Sequence, residues 1–297
     1  MARIPAAEVD VTPELVRTLL ADQHPDLADL PITPFANGWD NAMLRLGEDL
    51  LVRMPRRALA AELVEHEQVY LPVLASRLPT AVPAPVRVGR PALGYPWSWS
   101  VLRWQSGHAL GSVPLSERAG VAVALGEFLA ALHTPAPEDV WQSPYRGGSL
   151  RTRADVVAER TTRYAPDHAE RLMTRWHTAV DQDDPPGPRL WVHGDLHPLN
   201  VLVEGAALAA VIDWGDVTAG DPACDLAIAW LGFERADGAA LRETYVAAAT
   251  HHLDLDLLWT RAEAWAHHLT MVILDASDDH PELAAVGRHG LFRLMGD

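Results

Sequence analysis

One cysteine, Cys224, occurs in 297 residues, so no disulfide can close within the chain and a reducing compartment suits it. Basic side chains are scarce too: 24 Lys plus Arg stand against 40 Asp plus Glu, a net charge of -16. A surface that acidic repels nucleic acid and anionic lipid, and it draws in cations by long-range steering. Long apolar runs are missing. The most apolar helical stretch, VAVALGEFLAAL, contains Glu127 and is too short to span a bilayer. The opening MARIPAAEVDVTPELV lacks a basic segment followed by an apolar core. No signal peptide is expected, and the protein is expected to be cytoplasmic and soluble, with neither nucleic acid nor membrane as partner. Internal repeats and long low-complexity tracts are likewise absent. What remains is an ordinary globular balance, 48% hydrophobic and 22% charged, with enough chain for one large domain or two lobes sharing a cleft.

Thr12-Pro13 reads as an N-cap followed by proline at the first helical position, opening a short helix up to about Asp22. Residues 31–54 carry two strand-like runs, AMLRL and LLVRM, joined by the turn Gly47-Glu48-Asp49. Helical spacing follows from Ala58 to Leu78, with Pro72 expected to kink or break it because it removes a backbone donor. The runs PVRVG and WSWSVLRW complete a small sheet with one helix packed on it, and Trp97 and Trp99 are expected in its core. Beyond Gly107 helices dominate, over 117–133 and near 150–164 and 168–180. A turn-rich link over 181–189 then leads to the short strands LWVH, NVLV and LAAVID. Four helical segments, beginning near 222, 238, 255 and 281, finish the chain. The expected class is α+β: a small N-terminal β-sheet lobe with one main helix over 1–103, and a larger, mostly helical lobe over 104–297. A ligand cleft is expected between them.

The densest chemistry lies in HGDLHPLN, His193 to Asn200, and in VIDWGD, Val211 to Asp216. Phosphoryl transfer needs an aspartate to orient the acceptor hydroxyl and take its proton, and oxygen ligands for Mg²⁺ ions bridging the phosphates. Magnesium is hard and keeps several waters, so one or two carboxylates plus an amide oxygen suffice. Asp195 fits the base, and Asn200 and Asp213 fit the metal ligands. The spacing of His193, Asp195 and Asn200 reproduces the pattern H-x-D-x-x-x-x-N, and Asp213-Trp214-Gly215 stands where D-F-G stands in protein kinases. A zinc site built from His193, Asp195 and His197 is the alternative; it leaves Asn200 and the DWG segment unexplained. His193 reads as structural, His197 as tuning the loop, and Asp221 and Asp225 as caps or braces.

HGDLHPLN followed by IDWGD and then DPACDLA resembles the aminoglycoside phosphotransferase family, small-molecule kinases that include macrolide kinases and share the two-lobed protein-kinase-like fold. NGWDNAMLRLG is similar to that family's nucleotide-covering hairpin, and the resemblance runs roughly from residue 33 to 232. It implies ATP or GTP as phosphate donor with Mg²⁺. It also implies a strand cation holding the α- and β-phosphates, here Arg53 in place of the usual lysine, paired with a helix glutamate. Glu67 is the best partner, with Glu62 and Glu65 behind it. By the same resemblance Gly38 lets the hairpin backbone approach phosphate, and the segment from Ser100 to Gln105, including Arg103 and Trp104, meets the purine edge. Too few residues separate Asp213 from DPACDLA for the activation loop of a protein kinase, and no A-P-E triplet follows.

The implied acceptor is a hydroxyl of an aminoglycoside-like antibiotic, and the net charge, with Glu234, Glu263, Asp275, Asp278, Asp279 and Glu282 as an acidic lining, suits a cationic one. Trp259 and Trp265 would equally line a pocket for a bulkier, apolar acceptor such as a macrolide. A metabolite kinase for a sugar or amino alcohol, and a catalytically weak nucleotide-binding sensor, are the remaining alternatives.

Overall fold

The computed structural model describes residues 6–181 and 189–296; most of the turn-rich link expected over 181–189 therefore lies outside the described residues. Helix α1 (Pro13–Gln23) opens as expected, with the Thr12 hydroxyl accepting the Leu15 N–H at 3.2 Å and Pro13 in the first turn. Five antiparallel strands follow: β1 (Ile32–Asn37), β2 (Asn41–Leu46), β3 (Leu50–Pro55), β4 (Pro85–Gly89) and β5 (Trp99–Arg103), in spatial order β1-β2-β3-β5-β4. Helix α2 (Ala58–Ala75) crosses from β3 to β4.

Register decides what each face of this sheet does. Leu44 opposite Val52 and Ala42 opposite Met54 share one face, and they are buried in one cluster with Val16, Leu19 and Leu20 of α1. Each fully buried α1 side chain contributes about 2 kcal/mol by leaving water. Met43 opposite Arg53 and Arg45 opposite Leu51 therefore share the other face, turned toward α2 and the helical lobe. Trp99 is fully buried and Trp97 packs against the same cluster.

Two local expectations are corrected. Helix α2 runs unbroken through Pro72, which lies on its exposed face one turn from the end, where a carbonyl left without its donor is open to water. Strand β1 had no clear alternation to announce it. It is an edge strand carrying Pro34, and its register slips between Pro34 and Ala36, a bulge of the kind that lets proline sit in a sheet.

The larger lobe begins with β6 (His108–Ala109), α3 (Ala119–Leu132), α4 (Ala154–Tyr164) and α5 (Ala169–Val180). Strands β7 (Leu190–Val192), β8 (Val201–Glu204), β9 (Ala207–Val211) and β10 (Thr218–Gly220) form two small sheets, β10-β7 and β6-β8-β9. The segment expected from 222 is two short helices, α6 (Ala223–Leu226) and α7 (Ile228–Leu231). Helix α8 (Arg235–Ala248) starts ahead of residue 238, and α9 (Leu255–Ala276) and α10 (Pro281–Met295) complete the lobe. Trp259 and Trp265 are 4% and 1% exposed, so both belong to the core and neither lines an acceptor pocket. Their spacing of six puts them about 240° apart around a helix, and α9 is covered on both sides, by α5 and α6 as well as α10. Among the described residues no helix is long and apolar enough to cross a membrane.

The same burial makes α9 sensitive to acid. It pushes the imidazole of His267 down to about 4, with Arg175 nearby, and that of His268 down to about 3, with Arg153, Arg146 and Arg160 around it. In the unfolded chain both take up a proton below about pH 6.5. As pH falls from there toward 4, the unfolded chain binds more protons than the folded one. Stability is lost across that window at about 1.4 kcal/mol per pH unit for each histidine. Urea unfolding midpoints are expected to fall between about pH 7 and pH 5, and His268→Gln to flatten that fall. Equal slopes in the variant and the wild type would remove His268 from this account.

Candidate active site

The two motif segments meet through a β-hairpin. Pairing of β8 with β9 sets Val201 opposite Val211, which leaves Asn200 and Ile212 facing each other just beyond the strand ends, the Ile212 N–H on the Asn200 carbonyl at 2.9 Å. His193, fully buried, ties the same two segments. Its Nδ1 accepts the Asp195 N–H at 3.2 Å, so Nε2 carries the proton and donates to the Ile212 carbonyl at 3.0 Å. This imidazole is structural, as its position in the sequence suggested. The Asn200 amide nitrogen donates to the Asp195 carbonyl at 2.9 Å, turning its oxygen the other way.

Asp213 adopts a left-handed backbone with φ of 62°, a conformation that aspartate tolerates better than most residues. Its side chain is 53% exposed while the neighbouring Trp214 is fully buried, the indole N–H donating to the Val211 carbonyl at 2.9 Å. The buried indole anchors the segment and the turn at Asp213 presents a carboxylate to solvent. The His193 imidazole, the Asn200 amide and the β8–β9 pairing thus tie the segments of Asp195 and Asp213 to the same end of one hairpin.

Arg53 reaches that neighbourhood from β3. It is 2% exposed, with one guanidinium nitrogen 2.8 Å from Glu67 Oε1 on α2 and the other 3.0 Å from Asp213 Oδ1. Glu67 Oε1 also accepts the Trp214 N–H at 3.0 Å. Of the three candidate glutamates, Glu67 is thus the partner; Glu65 instead accepts from the Ser98 hydroxyl at 2.9 Å. Burial pushes the Glu67 carboxyl up to about 7, against the pull of Arg53. Every one of the 24 Lys-plus-Arg positions in the chain is arginine, so the departure from lysine at this strand is global in the composition and not peculiar to the site. A fork suits the place, since one ammonium cannot span two separate carboxylates as a planar guanidinium does.

The base candidate is held from a side the sequence did not announce. Arg146 Nη2 lies 2.8 Å from Asp195 Oδ1, and its Nε lies 3.4 Å from Asp216 Oδ2. His197 Nε2 stands 3.8 Å from Asp195 Oδ2. Burial alone would raise the Asp195 carboxyl, but Arg146, His197 and His193 outweigh it and hold it below the usual range. Gly194 makes this crowding possible: its φ is 88°, and a Cβ there would sit 2.5 Å from the Asp216 carbonyl oxygen. Beneath the loop, Asp225 is fully buried and accepts the N–H groups of His193 at 2.7 Å and Gly194 at 2.9 Å. Asp221 caps α6 through the Ala223 N–H and pairs with Arg261 at 2.7 Å. Both act as braces.

The remaining candidates are more dispersed. Gly38 sits in the β1–β2 turn with its N–H on the Asn41 carbonyl at 2.9 Å, and a Cβ there would meet only that oxygen, at 3.5 Å. The fold itself makes no demand for glycine there. Next to it, the Trp39 indole N–H donates across the cleft to His280 Nε2 at 3.2 Å. The Arg103 side chain is exposed at the end of β5. The Trp104 N–H is engaged by the Asp49 carbonyl at 2.7 Å, so that donor is not available to a purine; the Trp104 ring lies against Arg45, 3.8 Å from its centroid, and against Phe35. Of the acidic lining, Asp275 is bound by Arg163, Arg160 and Tyr164, and Glu263 by Arg175. Those two carboxylates are already neutralised by arginines, each remaining 27% exposed. Asp278, Asp279 and Glu282 are exposed around His280, and Glu234 is exposed at the start of α8. Among the described residues no group of three or more His, Cys, Asp or Glu is placed to hold a metal, which leaves the zinc alternative without a site.

The sequence pattern of the phosphotransferase enzyme family, APH, matches residues 31–265. The chain belongs to that family. The match reaches into α9, well past residue 232, where the resemblance read from the motifs had faded. This phosphotransferase is 27% identical over 218 residues to the uncharacterized protein YcbJ of Bacillus subtilis (strain 168), covering 67% of this chain and 68% of that one. Among solved structures it is similar to the GDP and kanamycin complex of APH(2")-IIIa, with a TM-score of 0.67 and 18% identity over 94% of this chain and 97% of that one. It is also similar to the macrolide 2'-phosphotransferase MphH from Brachybacterium faecium, with a TM-score of 0.64 and 21% identity over 93% and 96% of the two chains. The fold is the two-lobed, kinase-like one implied by the motifs.

Proposed function

We propose that this phosphotransferase moves the γ-phosphate of ATP or GTP onto a hydroxyl of a small molecule, with Asp195 as the base that orients the hydroxyl and takes its proton. The observation that carries the reading is the meeting of Asp195, Asn200 and Asp213 with the buried Arg53–Glu67 pair at the junction of the two lobes. Arg53 is then the grip on the α- and β-phosphates, steadied by Glu67. The turn at Gly38 covers the phosphates, and the chain at Arg103 and Trp104 borders the base, the Trp104 ring in place of its N–H. The lobes meet between residues 103 and 104, the first holding nucleotide and the second the acceptor.

Asn200 and Asp213 fit Mg²⁺ as ligands: one amide oxygen turned away from its own hydrogen-bonded nitrogen, and one exposed carboxylate, both hard donors. Bound there, the ion would neutralise charge on the transferring phosphate. The acceptor reading is an aminoglycoside-like antibiotic, with a role in resistance and a cytoplasmic location. The net charge of -16 and the exposed Asp278, Asp279 and Glu282 support a cationic acceptor. A second reading, a macrolide or a neutral metabolite, is favoured by the arginines that occupy Glu263 and Asp275.

The test is purified protein with Mg²⁺ and either ATP or GTP against a panel of aminoglycosides, macrolides, sugars and amino alcohols, with mass spectrometry of the acceptor. A gain of one phosphate on a panel member is expected, and chelation of the divalent ion is expected to abolish it. Tight nucleotide binding with no phosphorylated product would favour a sensor.

A further inference from the structure

Arg146 sits in a loop whose backbone is fixed on both sides of it. The Ser143 N–H donates to the Thr218 hydroxyl at 2.8 Å, and that hydroxyl donates to the Trp141 carbonyl at 2.7 Å. The Ser143 hydroxyl oxygen accepts the N–H groups of Tyr145 at 3.2 Å and of Arg146 itself at 3.1 Å. Beyond it, the Gly147 carbonyl accepts the Asp221 N–H at 2.8 Å. Gly147 has a φ of 62° and lies so close to Gly220 that a Cβ on the latter would stand 2.8 Å from the Gly147 oxygen. This loop therefore rests on β10 without side chains between them, and it delivers a guanidinium from a fixed Cα. Two nitrogens of that guanidinium then face two carboxylates, Nη2 on Asp195 at 2.8 Å and Nε on Asp216 at 3.4 Å. The ion pair is partly shielded, with Arg146 23% and Asp195 29% exposed.

We propose that Arg146 is the positioning residue for the Asp195 carboxylate, fixing which of its two oxygens meets the acceptor. The inference rests on Asp195 being the base. Oδ1 is taken by the guanidinium, so the acceptor proton goes to Oδ2. As it does, the acceptor oxygen bonds to the γ-phosphorus and the bond to the β–γ bridging oxygen breaks, releasing nucleoside diphosphate. An aspartate side chain pinned at one oxygen cannot rotate away, and phosphoryl transfer depends on such positioning more than on covalent chemistry. The fork matters as well as the charge, because Asp195 and Asp216 are reached from different nitrogens of one plane.

Water can stand in for the acceptor, so the probe is phosphate release from Mg–ATP and Mg–GTP alone, compared in wild type, Asp195→Ala, Arg146→Ala and Arg146→Lys. Arg146→Ala is expected to lower kcat by about 100-fold with the nucleotide KM unchanged, the scale of loss that misplacement of a reacting group brings. Added guanidinium ion is expected to restore the rate in a saturable way, methylammonium is not, and Arg146→Lys stays slow although its charge is kept. An Arg146→Ala rate equal to or above that of wild type, alongside an inactive Asp195→Ala, overturns the positioning role and leaves the kinase reading standing. A loss that no concentration of guanidinium relieves assigns Arg146 to loop packing and overturns it too. Release that does not depend on Asp195 at all removes the base itself, and this proposal with it.

Discussion

Asp195→Ala is expected to slow phosphate transfer by about a thousandfold or more, while Mg–nucleotide affinity stays near that of wild type. The two halves of this expectation come from different parts of the site. Asp195 makes its contacts with Arg146 and His197 on the acceptor side, whereas Arg53, Glu67 and Asp213 form a separate network across the lobe junction. Removing the carboxylate takes away the proton acceptor and leaves the expected phosphate grip intact. Single-turnover transfer and a nucleotide binding isotherm, measured on the same protein, separate the two. Asp213→Ala should behave in the opposite sense, losing nucleotide affinity in the presence of magnesium, because it removes the proposed metal ligand and a partner of Arg53 together. Transfer by Asp195→Ala at the wild-type rate would take Asp195 out of the chemistry altogether.

The largest loss of stability is expected at a residue that touches no substrate. Asp225 is fully buried, and its two oxygens accept the His193 and Gly194 N–H groups and face His133 Nε2 at 3.2 Å. Burial on its own would raise this carboxyl, but the His133 contact and the Gly194 N–H more than compensate and hold it below the ordinary range. Alanine would strand three donors in the interior and open a void among them. Such losses cost about 3–5 kcal/mol when a buried charged partner is removed. Denaturant titration should show that fall directly. Asn retains one acceptor oxygen in the same shape, so Asp225→Asn should lose less stability while still slowing transfer, since the backbone it steadies carries Asp195. Equal stability of Asp225→Ala and wild type would mean that the catalytic loop holds itself.

The parts of this site that could be read from residues alone were those where reaction chemistry and local spacing coincide. His193, Asp195 and Asn200 lie within one loop, and Asp213 follows after a single hairpin, so their proximity needs only β8 and β9 to pair. Glu67 was legible because α2 buries its Leu71 and Leu74 side and carries the carboxylate inward with them. Arg146 was not. It sits in a stretch rich in proline and glycine, and its contact with Asp195 depends on Thr218 and Gly220 fixing the loop from far along the chain. The arginine partners of Asp275 and Glu263 were hidden for the same reason, because they come from α4 and α5 and only tertiary packing brings them near. Trp104 shows the limit at a finer scale: the chain segment was identified, but the partner of its N–H was set by the β2–β3 turn.

The contact between Trp39 and His280 ties the small lobe directly to the large one. The indole belongs to the turn of the small lobe, and the imidazole stands just before the last helix of the large one, their ring centres 5.9 Å apart. Separating the two lobes would pull these rings from each other and break that bond. One net hydrogen bond of about 1 kcal/mol tilts the balance of shut over open by about fivefold. The hold of one lobe on the other is then set partly by an aromatic pair separate from the Asp195 and Arg53 ion pairs.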